Sequence, residues 1–262
     1  MHLKRLIVAA IFLPIFYLYI MYLPSQFFLL LMFFTSSIAL IEFSSMCRIR
    51  GIIKYTCLFL GIAVLSISYF FEELLLEMVV VSIIAIISIR LFVKKDPHSS
   101  LRDVSVPILG LLYIPVFLTF QLKIIKFGPE WIIFLYALVW VSDSLAYYVG
   151  KGFGKRRLYT AISPNKTIAG AVGSLFGGIL CSLYLSFSFI PMLNASSSLV
   201  IGIIIGGTSV IGDLVESMFK RDAGVKDSGA TIPGHGGILD KIDGVLLGGP
   251  VLYYFLLGMG IS

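Results

Sequence analysis

Residues 217–243 read SMFKRDAGVKDSGATIPGHGGILDKID, the one long polar passage in an otherwise apolar chain. Lys220, Arg221 and Lys226 stand there beside Asp222, Asp227, His235, Asp240 and Asp243, spaced by glycine. Cations and carboxylates on glycine-rich backbone suit a site that holds phosphates and a divalent metal together. Ammonium and backbone N–H groups meet phosphate oxygens, and hard carboxylate oxygens hold Mg²⁺. The sequence on either side of this island is apolar enough to sit in lipid, so the passage reads as a cytoplasmic loop presented at a membrane surface.

Composition carries the same message. The 262-residue chain is 58% hydrophobic and only 13% charged, against a usual charged share of roughly 25%. Apolar runs of about 20 residues recur along its length, each long enough to cross a bilayer. The expected fold class is all-α, a polytopic membrane helix bundle. The expected spans are residues 6–23, 27–47, 55–71, 74–93, 104–122, 130–149, 169–190, 199–219 and 244–261. The first run follows MHLKR and has the look of a signal peptide, but no A-x-A-like cleavage site comes after it, so it is read as a retained span. The net charge of +6 does not call for nucleic acid, because Lys and Arg collect in the cytoplasmic loops of membrane proteins and meet anionic headgroups there. Cys47, Cys57 and Cys181 lie in or beside apolar runs without a CxxC pair, which fits small buried hydrophobes rather than a disulfide framework or a zinc site.

The basic residues test the span count independently. With the N-terminus in the cytoplasm, nine spans put 18 of the 20 Lys and Arg on the cytoplasmic side and leave only Lys123 and Lys126 outside. A miscounted span would scramble that separation, so the expected topology is N-terminus in, C-terminus out. Glycine divides the chain: 22 of its 25 glycines follow residue 126. Gly170, Gly173, Gly177 and Gly178 in span seven, and Gly202 and Gly206 in span eight, let helix backbones approach closely in lipid. The expected division is residues 1–126, the first five spans, and residues 127–262, a catalytic membrane region with cytoplasmic loops 150–168 and 220–243. No internal repeat is visible, which argues against an inverted-repeat transporter.

Several acids sit where acid is expensive. Glu42 lies in span two, Asp143 in span six, and Asp213 with Glu216 in span eight. Asp143 is seven residues before Gly150 and Asp213 seven before Lys220. At 1.5 Å per residue both fall roughly 10 Å below the cytoplasmic rim. They lie beneath the loop that ends in Asp240 and Asp243, which makes a converging metal cage from Asp143, Asp213, Asp240 and Asp243 the functional reading. Helix–helix hydrogen bonding is the bland alternative. Asp240 and Asp243 are i and i+3 neighbours at a helix start, where N-capping alone also favours acid. His235, between Gly234 and Gly236, is open between a turn residue and a phosphate contact. The second cytoplasmic loop is basic and contains SPNKT, residues 163–167, where Ser163 and Lys166 lead into a glycine-rich span.

Ser217-x-x-Lys220-Arg221-x₄-Lys226-Asp227-x-Gly229-x₂-Ile232-Pro233-x-His235-Gly236-Gly237-Ile238-x-Asp240-x-Ile242-Asp243 resembles the signature of the phosphatidate cytidylyltransferases, also called CDP-diacylglycerol synthases. DSLAYYVGKGFGK, ISPNKT and GDLVES upstream resemble other blocks of that family in the same order. The resemblance runs from about Trp131 onward, while spans one to five match in hydropathy alone. Ala169 departs from it, standing where the family pattern has Glu, and Lys241 stands between the paired aspartates.

The resemblance implies that CTP and phosphatidate react to give CDP-diacylglycerol and pyrophosphate, with Mg²⁺ and a second cation such as K⁺, in a homodimer of a multi-pass inner-membrane enzyme of phospholipid biosynthesis. It implies Lys220, Arg221, Lys226, Asp227 and His235 as catalytic residues. Ser163, Lys166, Ser217, Gly236 and Gly237 would bind substrate. A phosphomonoester is already anionic at neutral pH, so no Ser–His activation is required. The need is charge neutralisation as two anions meet. A CTP-dependent lipid kinase and an ion-coupled transporter using Asp143 and Asp213 are the competing classes; the acids cluster near one face rather than at a midplane cavity, which disfavours the transporter.

Overall fold

The computed structural model describes residues 13–231 and 236–261. Ten α-helices make up most of it: α1 Leu13–Tyr22, α2 Ser25–Met46, α3 Ile52–Phe70, α4 Leu75–Val93, α5 Ser100–Leu111, α6 Phe117–Ile124, α7 Pro129–Phe153, α8 Ile168–Ser188, α9 Ala195–Asp222 and α10 Leu239–Gly258. Seven stretches are long and apolar enough to cross a bilayer: α2, α3, the turn Glu72–Leu74 with α4, the run Ser100–Ile124, α7, α8 and α9. Phe92, Phe176, Tyr184 and Phe187 are exposed on these helices. Large apolar side chains in such numbers suit contact with lipid better than contact with water. This is a multi-pass membrane protein. Residues 6–12 of the expected first span lie outside the described residues, and the expected last span is α10, which begins five residues earlier than residue 244.

The helices start where local chemistry lets them. Pro129 opens α7 after Gly128, which takes a φ of 143°. Thr167 caps α8 by accepting from Gly170 N at 3.0 Å, and Asn194 caps α9 by accepting from Ser197 N at 2.8 Å. The fifth span is not one regular helix. Pro115 has no N–H to give, and α5 passes into α6 through a π-turn at Leu112–Val116. The expectation of an all-helical chain needs one amendment. The loop after α7 folds back as an antiparallel hairpin of β1 Arg157–Tyr159 and β2 Ser163–Thr167, so SPNKT is a strand that runs directly into α8.

Packing in the C-terminal part follows the chain: α7 lies on α8, α8 on α9, and α9 on α10. A Cβ on Gly202 would come within 2.7 Å of the Gly178 carbonyl oxygen, so α8 and α9 meet backbone to backbone. Behind them Trp131, Phe134, Leu135 and Leu138 of α7 are fully buried with Leu246 and Leu252 of α10. Ion pairs mark the two ends of the bundle. Glu72 pairs with Lys123 at 3.1 Å and Lys126 at 2.9 Å. Arg90, one helix length or about 27 Å farther along α4, donates to Asp103 at 2.8 Å and to the carbonyls of Asp96 and His98. The two lysines that the charge count left outside thus share one end with Glu72.

Candidate functional site

The site is built where α9 and α10 touch. Gly212 has no side chain, so the α10 backbone at Asp243 comes close enough that a Cβ there would lie 2.5 Å from the Asp243 carbonyl oxygen. Asp213 and Glu216, three residues apart on α9, share a face, and α10 brings Asp243 against them. One carboxylate oxygen from each of the three lies within 4.8 Å of the others. Glu216 is 1% exposed and Asp243 8%. The Oε1 atom of Glu216 has no hydrogen-bond partner among the described residues. Three hard oxygens converging where α9 meets α10, one with an unspent lone pair, fit a divalent cation such as Mg²⁺.

Cations frame this cluster. Lys220, one turn beyond Glu216, donates to Glu216 Oε2 at 2.5 Å and to Asp240 Oδ1 at 2.6 Å. Lys166 pairs with Asp213 Oδ2 at 2.5 Å, and Ser217 Oγ donates to Asp213 Oδ1 at 3.3 Å. The hairpin is what carries Lys166 there: β2 delivers it, and Thr167 then starts α8. A cavity of about 570 Å³ opens beside the pair, lined by Asp143, Tyr147, Lys151, Arg157, Lys166 and Asp213 among others. That volume lies in the range of small-molecule sites. Asp143, on α7, accepts from Ser209 Oγ of α9 at the cavity wall.

The glycine-rich loop is held by two carboxylates. Asp240 Oδ2 accepts from Ser228 N at 3.2 Å, Ser228 Oγ at 2.9 Å and Gly237 N at 2.7 Å. Gly236 takes a φ of +84°, and a Cβ on it would lie 2.6 Å from Asp240, so that turn suits glycine alone. The second is Glu42 of α2. It accepts from Thr231 Oγ1 at 2.5 Å, Ile238 N at 3.0 Å and Leu239 N at 2.9 Å, and Ser228 Oγ, whose proton is nearer Asp240, stands 3.4 Å from it. Arg221 donates to the carbonyls of Ile162 and Val225, joining the hairpin to the loop after α9. Lys226 and Asp227 are exposed on the loop, and Ser163 pairs with Tyr159 in the hairpin. His235 lies outside the described residues.

Of the four expected metal carboxylates, Asp213 and Asp243 come together, Asp143 stands on the adjoining cavity wall, and Asp240 turns instead to Lys220 and the loop amides. Glu216 takes the third corner of the cluster. Its spacing from Asp213 was a usable signal, since i and i+3 residues share a helix face. Glu42 was marked by its place in an apolar span, but its partners, 186 to 197 residues away, were not legible.

An acidic cluster interleaved with lysines stands in a bundle of apolar helices, beside an open cavity: the class is a multi-pass membrane protein with a charged site among its helices. The chain belongs to the Cytidylyltransferase family, whose model matches residues 3–258. It is 46% identical over 128 residues to a phosphatidate cytidylyltransferase of Synechocystis, a match covering 47% of this chain and 42% of that one. Against the Haemophilus influenzae phosphatidate cytidylyltransferase it is 41% identical over 132 residues, covering 47% and 44%. Against that of Staphylococcus aureus strain COL it is 37% identical over 158 residues, covering 60% and 61%. The chain thus spans between about two-fifths and three-fifths of the length of these curated relatives.

Proposed function

We propose that this protein is a phosphatidate cytidylyltransferase acting at the inner membrane of a bacterium. A phosphate oxygen of phosphatidate attacks the α-phosphorus of CTP, the α–β phosphoanhydride bond breaks, and pyrophosphate leaves as CDP-diacylglycerol forms. The observation that carries this reading is the convergence of Asp213, Glu216 and Asp243 between Lys166 and Lys220, beside a cavity with room for a nucleotide. The matched relatives, named for the same reaction, support it.

Asp213, Glu216 and Asp243 would hold Mg²⁺, which when bound supplies positive charge to the triphosphate oxygens. Lys166 stands where it can leave Asp213 for a phosphate oxygen, and Lys220 balances Glu216 while keeping Asp240 in place. Arg221, Lys226 and His235 are assigned to the leaving pyrophosphate or the lipid phosphate, and Asp143 to the wall of the nucleotide cavity. None of these groups needs to remove a proton, because the attacking phosphate is already ionised. Their work is to lower the repulsion between two anions. The proposed topology is nine spans with the N-terminus inside and the C-terminus outside, which puts the site in reach of cytoplasmic CTP and inner-leaflet lipid. The catalytic groups fall in residues 127–262, and the assembly is taken to be a homodimer. Labelled CTP should enter chloroform-extractable lipid with stoichiometric pyrophosphate release, in a Mg²⁺-dependent manner. Release of CDP in place of pyrophosphate would make the protein a lipid kinase instead.

A further inference from the structure

Glu42 belongs to the second helix, far in sequence from the residues just discussed, and among the described residues its polar contacts reach the glycine-rich loop and the start of α10. It is 5% exposed. Its Oε1 faces Thr231 Oγ1 and Ile238 N, and its Oε2 faces Leu239 N and Ser228 Oγ. Each oxygen therefore holds one backbone N–H, and these two amides belong to the residue that caps α10 and to its first residue. The opening N–H groups of a helix lack partners within it, and negative charge is favoured there. Glu42 thus caps α10 from another helix. Gly229 lets the loop wrap close, since a Cβ there would lie 2.7 Å from Glu42 Oε1. The next residue of α2, Phe43, meets Phe219 of α9 edge to face at 6.3 Å. One turn of α2 therefore touches both helices that supply the acidic cluster.

We propose that Glu42 is a positioning residue for that cluster: by fixing where α10 begins, it sets Asp243 against Asp213 and Glu216. Asp243 follows Leu239 by four residues, about 6 Å along the axis, so a shift of the helix start carries the ligand with it. If Glu42 served packing alone, any side chain of its size would do, and metal affinity would be indifferent to the change. The inference rests on the functional reading above, and its test is arranged so that the two fail separately.

Glutamine at this position has one acceptor oxygen, so its NH₂ must face either Ile238 N or Leu239 N. In Glu42→Gln we expect Mn²⁺ binding, followed by electron paramagnetic resonance without CTP, to weaken about tenfold or more. Amide exchange over residues 238–243 should quicken. In the cytidylyl transfer assay, the Mg²⁺ concentration for half-maximal rate should rise in parallel, while KM for phosphatidate holds. Wild-type protein without transfer activity would remove the functional reading, and the metal and exchange measurements would still judge Glu42. Wild-type Mn²⁺ affinity in the folded variant would overturn the proposal. If Glu42→Gln does not fold, Glu42→Asp keeps the charge but, one methylene shorter, draws both oxygens back from the amides of Ile238 and Leu239. A weaker Mn²⁺ affinity there supports the proposal, and an unchanged one overturns it.

Discussion

Replacing Gly212 by alanine tests whether the spacing of α9 and α10 sets the chemistry. The added methyl would lie 2.5 Å from the Asp243 carbonyl oxygen, 3.0 Å from its carbon and 3.1 Å from Gly244 Cα. All three are backbone atoms of α10, so no side-chain rotation relieves the clash. Ordinary contact begins at 3.4 Å, and α10 must therefore retreat by about 1 Å in a tightly packed bundle. Asp243 travels with α10 while Asp213 and Glu216 stay on α9, so the cluster opens by a similar amount. Mg²⁺ demands near-ideal geometry at oxygen distances of about 2.0–2.1 Å, and a 1 Å misplacement can cost on the order of 10²-fold in rate. The overpacking should cost about 1–3 kcal/mol, short of typical total stabilities of about 5–15 kcal/mol, so the variant should still fold. The control is Gly207→Ala on the same helix, where the nearest atom is Leu175 Cδ2 at 3.5 Å. Pyrophosphate release should fall about 10²-fold in Gly212→Ala and stay near wild type in Gly207→Ala, with both melting cooperatively in detergent. Equal activity in the two would refute the argument that backbone contact at Gly212 sets the metal geometry.

Other substitutions probe separate parts of the same account. Glu216→Gln and Asp243→Asn should each lower Mg²⁺-dependent transfer by about 10²-fold or more in folded protein; near-wild-type turnover in either would remove that residue from the metal site. Lys166→Met should lose about 10²–10³-fold in kcat, measured by incorporation of labelled CTP into lipid, because Asp213 then lacks its cation and the cavity loses a phosphate contact. Arg90→Met leaves the carbonyls of Lys94, Asp96 and His98 without their donor, while Asp103 keeps Lys94, and should cost about 1–3 kcal/mol in thermal unfolding with little change in rate per folded molecule. Thr167→Val removes the cap of α8 and should cost about 1 kcal/mol, read from the same melting curves.

The bundle was legible because lipid imposes length and apolarity on every span, and those are properties of consecutive residues. The helix limits found for α2 to α9 sit within a few residues of the expected spans. The meeting of Asp213 with Asp243 could be anticipated because the loop ending in Asp240 and Asp243 lies above the depth of Asp213, whereas Asp143, expected at that same depth, stays on the cavity wall. The choice between Asp240 and Glu216 could not, since each lies within a turn of one of the two clustered aspartates and only the crossing of α9 and α10 decides which faces inward. Lys220 settles it by bridging Glu216 to Asp240, which turns Asp240 toward Ser228 and Gly237. The β-hairpin escaped because Pro, Asn and Lys are poor strand formers. Its pairing is made by the fold-back between α7 and α8 rather than by propensity.

The contact between α2 and the start of α10 bears on how such proteins can be recombined. A chimera that joined the last four helices of this chain to the first helices of a relative would keep every residue of the acidic cluster. Unless the donor placed an acid at the same depth on its second helix, the amides of Ile238 and Leu239 would face an apolar wall. The graft would then fail at a joint that lies nowhere near its splice point.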